Sequence, residues 1–233
     1  MISEPSKRIN RFYGRRKGRK LSDTNLLALR EGSKYLIKTS NFSSNSKIIL
    51  EDLCEFNPTK IILEIGFGGG ENLINSAKMN PNILYIGADP FLNTNARCIK
   101  ELLNNNITNV RIWPDDIRQI IEFFPLSIIS EIKILFPDPW PKFKHKDRRL
   151  IQNDFLSSLY NILKVQGIIT LGTDHLIMKS WILEIFQTHL GFEWKAEDAN
   201  DWRTRPIDCF ATKYEQKSII EKRKPNWFIF EKK

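Results

Sequence analysis

One stretch of the chain, residues 60–71, combines the residue types that a cofactor site requires. Three glycines stand at alternate positions and two glutamates flank them: Glu64, Gly66, Gly68, Gly70 and Glu71. A glycine-rich turn between a strand and a helix brings backbone N–H groups close to a ligand, either the pyrophosphate of a dinucleotide or the phosphate-free S-adenosylmethionine. Because the two carboxylates would repel pyrophosphate and attract a sulfonium or an ammonium group, the spacing favours S-adenosylmethionine. A dinucleotide and a plain glycine-rich turn remain alternatives.

Two further carboxylates follow the next predicted strands. Asp89 closes the apolar run 83–88, about 20 residues beyond the glycines, where doubly wound folds hydrogen-bond ribose hydroxyls. Asp116 follows a third predicted strand, 109–113, where an adenine amino group would find an acceptor. We therefore expect both side chains to bind the nucleoside part of the cofactor. An aspartate before a helix is also a common N-cap, and that simpler role remains the alternative for each.

A loop stiffened by prolines carries the candidate reaction site. Residues 136–142 (FPDPWPK) follow a fourth predicted strand, and their prolines lower the cost of ordering the loop. Asp138, Trp140 and Lys142 are therefore expected at the carboxyl edge of the sheet, beside the proposed methyl donor. Asp138 is the candidate catalytic residue. A plain proline-rich surface turn is the alternative.

Positive charge is concentrated in two places. The chain has 36 Lys and Arg against 27 Asp and Glu, a net charge of +9, which predicts a polyanionic partner. Residues 1–20 are expected to form an arm that grips phosphate and stacks Phe12 or Tyr13 on a base, so that deleting them weakens RNA binding and leaves cofactor affinity unchanged. A merely solvating tail is the alternative. The second cluster is suited to phosphates near the target base: Lys142, Lys144, Lys146, Arg148 and Arg149.

Several classes of protein are not indicated. Cys54, Cys98 and Cys209 lie far apart without a C-x-x-C pair, and the three histidines share no ligand spacing, so neither a disulfide framework nor a metal site is expected. No apolar run approaches the roughly 18 residues of a membrane span, and we expect a cytoplasmic protein without membrane contact. The sequence leaves open whether the chain is a monomer or a homodimer.

Predicted strands and helices alternate along the chain. Strands are expected at 61–65, 83–88, 109–113, 132–136 and 168–173, and helices at 71–79, 150–163 and 176–190. A terminal strand at 227–230 is expected to run antiparallel, as in methyltransferase sheets. The predicted fold class is α/β: a Rossmann-like class I S-adenosylmethionine-dependent methyltransferase fold with a mostly parallel seven-stranded sheet and an antiparallel terminal strand.

The length of 233 residues suits one α/β domain with a full core. We expect residues 1–45 to be a basic, flexible arm and lead-in, and residues 46–233 to be a single methyltransferase domain. The polar stretches at 201–206 and 212–216 are expected to form a loop that faces the substrate.

Several motifs together resemble one family, the bacterial tRNA (guanine-N7-)-methyltransferases of the TrmB type. They cover most of the chain: RRKGR (15–19), LEIGFG (63–68), GAD (87–89), FPDPWPK (136–142), RR (148–149), TD (173–174) and TKYEQ (212–216). The FPDPW element is the most specific of them. The family usually has glutamate where this chain has Asp89, and it often has Arg-Pro where this chain has Cys209 and Phe210.

The resemblance implies S-adenosylmethionine-dependent methylation of guanine N7 in tRNA, at guanine 46 of the variable loop. It implies that the cofactor is contacted by Glu64, Asp89, Asp116 and Asp138, beside Gly66 and Gly68 of the turn. It implies that the guanosine is contacted by Lys142, Asp174, Thr212, Lys213, Tyr214 and Glu215. Two alternatives remain: a methyltransferase that acts on ribosomal RNA or a small molecule, and a non-catalytic RNA-binding module on the same fold.

Overall fold

The computed structural model describes residues 12–38, 40 and 47–233. The helices of this part are α1 (Asp23–Glu31), α2 (Glu71–Met79), α3 (Leu92–Asn104), α4 (Asn153–Ile162), α5 (Leu176–Thr188) and α6 (Lys213–Ile220). The strands are β1 (Lys60–Ile65), β2 (Ile83–Ala88), β3 (Val110–Trp113), β4 (Ile129–Leu135), β5 (Leu163–Thr173), β6 (Phe192–Trp194) and β7 (Asn226–Lys232).

The strands form one seven-stranded sheet in the order β3-β2-β1-β4-β5-β7-β6. β1 pairs in parallel with β2 and β4, and the parallel pairing continues outward to β3 and β5. β7 runs antiparallel to both of its neighbours, β5 and β6. The predicted fold class, with its antiparallel terminal strand, is confirmed. Because the central strands are parallel, the loops after them meet at one edge of the sheet.

The central strands are buried on both faces, as their continuous apolar runs predict. Along β1, Leu63 belongs to the apolar cluster that α4 and α5 complete, and Ile62 belongs to the cluster on the opposite face, with α2 and α3. The site at the carboxyl edge therefore stands on a sheet whose strands are fixed from both sides. Of the helices in the described ranges, none combines the length and apolar character of a membrane span.

Several local predictions differ from the structure. Strand β4 covers Ile129–Leu135 instead of residues 132–136. The fourth helix begins at Asn153 instead of residue 150, and β5 begins at Leu163 instead of residue 168. The predicted substrate-facing loop at 212–216 is wrong in its local form, because Lys213–Ile220 is a helix. The Thr212 hydroxyl accepts from the Glu215 N–H (3.1 Å) and caps this helix. The Thr-x-x-Glu pattern of a capping box was the signal for it.

Residues 12–20 of the predicted arm lie along the start of α3. The Leu92 N–H donates to the Arg16 carbonyl (2.9 Å), and the Gly18 N–H donates to Asn93 Oδ1 (2.8 Å). Asn93 Nδ2 donates in turn to the Arg19 carbonyl (2.8 Å). Residues 1–11 of the arm and residues 39 and 41–46 of the lead-in lie outside the described residues, and the division of the chain after residue 45 stays a prediction.

Candidate active site

A cavity of about 640 Å³ opens at the carboxyl edge of the sheet, beside the ends of β1, β2 and β4. Its wall brings together about half of the residues predicted for the site: Gly66, Gly68, Asp89, Asp116, Asp138 and Tyr214. The other predicted residues do not line it: Glu64, Lys142, Asp174, Thr212, Lys213 and Glu215. The carboxylates that follow three different strands therefore meet around one space.

The glycines of the turn adopt the left-handed conformation that glycine alone reaches without strain. The angle φ is 75° at Gly66, 54° at Gly68 and 82° at Gly70, which explains their alternate spacing. The Gly66 N–H donates to the Ala88 carbonyl (2.7 Å), and the Gly68 N–H donates to Asp89 Oδ2 (2.9 Å). These two amides are hydrogen-bonded within the protein. At these positions a ligand can therefore approach the backbone closely, but neither N–H is free to donate to a phosphate.

Glu64 lies beneath the turn and is 2% exposed. Asn72 Nδ2 donates to its Oε2 at 2.7 Å. Burial raises the pKa of Glu64 to about 7, although the hydrogen bond from Asn72 and the positive charge of Lys133 act in the opposite direction. A cationic group bound near this carboxylate would favour its ionised form.

Asp89 holds the glycine turn and the start of α3 together. Its Oδ2 accepts from the Gly68 N–H, and its Oδ1 accepts from the Phe91 N–H (2.8 Å) and from the Thr94 hydroxyl (3.1 Å). Burial raises its pKa, and the bonds from Phe91 and Gly68 oppose that change. The bonds at the start of α3 correspond to the helix-capping alternative that the sequence left open for Asp89, and the bond from Gly68 is an addition that the sequence did not predict.

Asp116 lines the cavity and also caps a short 3₁₀ turn, Ile117–Gln119. Its Oδ1 accepts from the Arg118 N–H (3.0 Å), and Arg118 Nη2 lies 2.6 Å from its Oδ2. The N-cap role that the sequence left open is therefore present. To bind an adenine amino group, the Asp116 carboxylate would have to accept from it in addition to Arg118. The adenine contact stays a prediction.

Asp138 faces the cavity and is exposed to it. Across the described part of the chain, no side chain or backbone group is hydrogen-bonded or ion-paired with it. The surrounding protein displaces solvent and raises the pKa of Asp138 above the usual range for aspartate. Phe136 (φ 55°) and Trp140 (φ 38°) are in the left-handed region, so the loop bends sharply on both sides of Asp138. This carboxylate is available to a ligand.

Arg149 does not belong to the exposed basic cluster. It is 5% exposed, and its guanidinium lies 4.6 Å from the centre of the Trp181 ring. Its Nε donates to the Pro139 carbonyl (3.1 Å) and its Nη2 donates to the Trp140 carbonyl (3.3 Å). The expectation that Arg149 meets phosphate is corrected: it braces the loop that carries Asp138.

The N-terminal segment forms part of the cavity wall, which sequence reasoning missed. Residues 12–15 line the cavity together with Asp138 and Trp140. The Arg148 guanidinium lies 5.1 Å from the ring centres of both Tyr13 and Trp140, and so joins the segment to the proline-rich loop. Part of the arm therefore lines the candidate site, and the effect of the arm on cofactor affinity stays a prediction.

Of the residues predicted to contact guanosine, Tyr214 lines the cavity and the others do not. Lys142 is exposed at the start of the 3₁₀ turn Phe143–Arg148. Asp174 follows β5, and its Oδ2 accepts from Arg223 Nε at 2.7 Å. The structure therefore gives Asp174 an ion-pair partner within the chain, and a contact with substrate would compete with Arg223.

The start of α6 places its four predicted residues in different directions. Thr212 and Glu215 are buried, Thr212 as the cap of the helix and Glu215 as the partner of Arg205 (2.9 Å). Lys213 Nζ lies 3.7 Å from Glu71 Oε1. Tyr214 lines the cavity, where burial, followed by the negative charges of Asp138 and Asp89, raises the pKa of its hydroxyl. Tyr214 is thus the residue of this group that reaches the candidate site.

The chain is similar to characterised methyltransferase sequences over most of its length. Residues 58–228 match the family model described as "Putative methyltransferase". A tRNA (guanine-N(7)-)-methyltransferase of Rhodospirillum rubrum is 33% identical over 230 residues, covering 96% of this chain and 88% of that protein. A protein of the same name from Hyphomonas neptunium is 41% identical over 184 residues, covering 77% of this chain and 82% of that protein.

Solved structures support the fold. The crystal structure of the 16S rRNA methyltransferase KamB superposes with a TM-score of 0.57 at 13% identity, covering 82% of this chain and 94% of that chain. At that identity the likeness shows the fold alone. The family model and the full-length relatives establish more: this chain is a methyltransferase, and it belongs to the tRNA (guanine-N7-)-methyltransferase family.

Proposed function

We propose that this protein transfers a methyl group from S-adenosylmethionine to N7 of guanine in tRNA, at guanine 46 of the variable loop. The observation that carries the proposal is Asp138, a carboxylate without a protein partner in the described chain, held on a braced loop over the cavity. The names of the relatives supply the substrate class, and the position in the tRNA rests on the family resemblance.

The cavity fits S-adenosylmethionine better than a dinucleotide. Its volume of about 640 Å³ lies within the usual range for ligand sites, and carboxylates from three loops line it: Asp89, Asp116 and Asp138. The amides of Gly66 and Gly68 are already bonded, so they provide no cradle for pyrophosphate. The cofactor, when bound, supplies an electrophilic methyl group. We assign Glu64 to its methionine end, Asp89 to its ribose hydroxyls and Asp116 to its adenine.

The chemistry at guanine N7 needs positioning and charge, since N7 carries a lone pair and no proton. Methyl transfer therefore needs no obligatory base; it needs in-line placement and acceptors for the positive charge that reaches the base. Asp138 supplies a carboxylate at the cavity, and Tyr214 supplies an aromatic wall. We assign Lys142, Asp174 and the start of α6 to the guanosine, as the family resemblance implies. Asp138 acts by position and charge, without removing a proton.

The deciding experiment is radiolabelled methyl transfer to separated RNA fractions, followed by nucleoside analysis. We expect label in tRNA, recovered as 7-methylguanosine. Label in ribosomal RNA or in a small molecule would favour the rival enzyme. Absence of label from every fraction, with RNA still bound, would favour the non-catalytic RNA-binding module.

Replacing Asp89 by alanine is expected to weaken S-adenosylmethionine binding by about 10- to 150-fold. A charge-assisted hydrogen bond to ribose is worth roughly 1.5 to 3 kcal/mol. The melting temperature should also fall, because the N–H groups of Gly68 and Phe91 lose their acceptor. Calorimetry with cofactor, and separately with tRNA, measures the two affinities. Asp89→Glu, the residue usual in the family, should restore cofactor binding. Undiminished cofactor affinity in folded Asp89→Ala would remove Asp89 from the site.

The N-terminal segment is expected to serve both ligands through different residues. Lys17→Ala should make the dependence of log tRNA affinity on log salt shallower by about 0.7 to 0.9 and leave cofactor affinity unchanged, since Lys17 is exposed outside the cavity. Tyr13→Ala should lower cofactor affinity by about 3- to 10-fold and leave the salt slope unchanged. Deleting residues 1–20 should produce both effects. The same cofactor affinity with and without Tyr13 would show that its ring does not contact the cofactor.

A further inference from the structure

Asn72 is a buried side chain that the proposed mechanism does not use. It lies in the first turn of α2 and is 1% exposed. Its Nδ2 donates to Glu64 Oε2 at 2.7 Å, and its Oδ1 accepts from the Phe210 N–H at 2.8 Å. The Phe210 N–H fixes the orientation of the amide, because an N–H can only donate, and this directs Nδ2 to Glu64. The Asn72 side chain therefore connects β1 to Phe210, which lies 138 residues after Asn72 in the chain.

The segment that Asn72 holds leads directly into α6. Lys133, buried in β4, donates from Nζ to the carbonyl and to Oδ2 of Asp208, both at 2.8 Å. Cys209 is buried with Leu135 and Trp227. The next residue along the chain is Phe210, which Asn72 holds. Thr212 then caps α6, and Tyr214 in the first turn of that helix lines the cavity. Residues 208–212 are thus fastened to the same strands and helix that form the cofactor side.

We propose that Asn72 is a positioning residue for both ligands: its N–H₂ orients Glu64 beneath the cofactor, and its carbonyl fixes the Phe210 backbone and thereby the placement of Tyr214. The inference rests on the proposed function, in which Glu64 and Tyr214 meet cofactor and substrate. Among uncharged side chains, a planar amide presents a donor and an acceptor side by side. Removing either half leaves a buried polar group without its partner, which is costly.

The charges around Glu64 should make the effect of losing the Asn72 donor depend on pH. Lys133 faces it from the neighbouring strand β4, in register, and Glu131 of the same strand and Glu71 of α2 add negative charge. Burial raises the pKa of Glu64 to about 7, and the bond from Asn72 opposes this change. An Asn72→Asp variant would place a second carboxyl group against Glu64. At high pH the two would repel each other, and at low pH one shared proton would restore a hydrogen bond between them.

Two substitutions at position 72 separate the two halves of the amide. Asn72→Asp removes the donor to Glu64 but keeps an acceptor for the Phe210 N–H. Asn72→Ala removes both. Asn75→Asp is the matched control, because Asn75 is exposed on the same helix and its Nδ2 donates to the Glu71 carbonyl. Calorimetry with S-adenosylmethionine from about pH 6 to about pH 8.5, and steady-state methylation of a tRNA transcript, provide the readouts.

In Asn72→Asp, cofactor affinity relative to the wild type should fall by about 10-fold or more at the alkaline end and recover as the pH falls. Its KM for tRNA should stay within about twofold of the wild type, because the Phe210 contact persists. In Asn72→Ala, cofactor affinity should fall at every pH and the KM for tRNA should rise by about 5- to 10-fold. Asn75→Asp should match the wild type in both measurements.

Each part of the proposal is tested by its own measurement: cofactor affinity tests the contact with Glu64, and the KM for tRNA tests the contact with Phe210. A cofactor affinity in Asn72→Asp that equals the wild type at every pH overturns the proposal, as does an Asn72→Ala enzyme whose KM for tRNA equals that of Asn72→Asp. If the alanine variant does not fold, Asn72→Ser replaces it and the same comparison decides. Failure of the proposed function gives a different result. If the wild-type protein methylates no tRNA, the proposed function is wrong, and calorimetry of Asn72→Asp with S-adenosylmethionine still tests the role of Asn72 toward Glu64.

Discussion

Replacing Asp138 by alanine is expected to slow methyl transfer by about 100- to 1,000-fold, while the affinities for S-adenosylmethionine and tRNA change by less than about threefold. The carboxylate is expected to act most strongly when positive charge reaches the base, and an interaction that strengthens in the transition state lowers the barrier more than it tightens binding. Because no group in the described chain is bonded to Asp138, its removal should leave the melting temperature unchanged.

Two companion variants separate charge from shape. Asp138→Asn keeps the size of the side chain and removes its charge, so it should be nearly as slow as the alanine variant. Asp147→Ala removes an exposed carboxylate from the neighbouring 3₁₀ turn and should methylate at the normal rate. Single-turnover methylation with both ligands saturating measures the chemical step. A fast Asp138→Asn enzyme, or a rate that falls only in proportion to affinity, would contradict the proposed role.

The wild-type enzyme should also lose activity on acidification. The proposed role of Asp138 requires its ionised form, and the surrounding protein raises its pKa above the usual range for aspartate. The rate should therefore fall as the pH is lowered through a range above that of an exposed aspartate. Asp138→Asn should lack this part of the profile.

A tRNA with 7-deazaguanine at position 46 is expected to accept no methyl group and to bind nearly as tightly as normal tRNA. The analogue replaces the accepting nitrogen by C–H, so the lone pair is missing and the base is otherwise similar. Phosphate contacts dominate the affinity of proteins for nucleic acid, and they are unchanged. Labelled methyl transfer measures the first effect, and competition with unmodified tRNA measures the second.

Two substrates test separately whether guanine 46 is the modified nucleotide and whether N7 is the accepting atom. A tRNA with 7-deazaguanine at another guanine should be methylated at the normal rate and serves as the control. Methylation of the position-46 analogue at the normal rate would place the methyl group on another atom or another nucleotide. Loss of binding together with loss of transfer would show that N7 is needed for recognition, in addition to being the acceptor.

The sequence determined the frame of the cofactor site. The bounds of α2 and β2 agree with prediction to the residue, and those of β1 and β3 agree within one residue. In this part of the chain short β-branched runs alternate with glycine and aspartate, so local signals suffice. The carboxyl ends of parallel strands meet at one edge, and this rule alone brought Asp89, Asp116 and Asp138 to one cavity.

The tertiary structure decided which side chains are free to act. Asp174 is paired with Arg223, Glu215 with Arg205, and Arg149 is buried against the proline-rich loop. The sequence also missed β6, which has three residues and pairs only with β7. Each of these pairings joins residues that are distant in sequence or too few to make a pattern, so composition and periodicity carry no signal for them.

The same distinction explains the two connections with the greatest functional consequence. Tyr13 and Trp140 both lie against the Arg148 guanidinium, and Asn72 joins Glu64 to Phe210. The sequence by itself predicted a methyl-donor site and a basic surface, because glycine spacing and charge are properties of short segments. Only the folded chain decided that residues 12–15 line the same cavity as Asp138 and that the Phe210 backbone is held by Asn72, because hydrogen bonds and ring contacts between distant segments depend on how the elements pack.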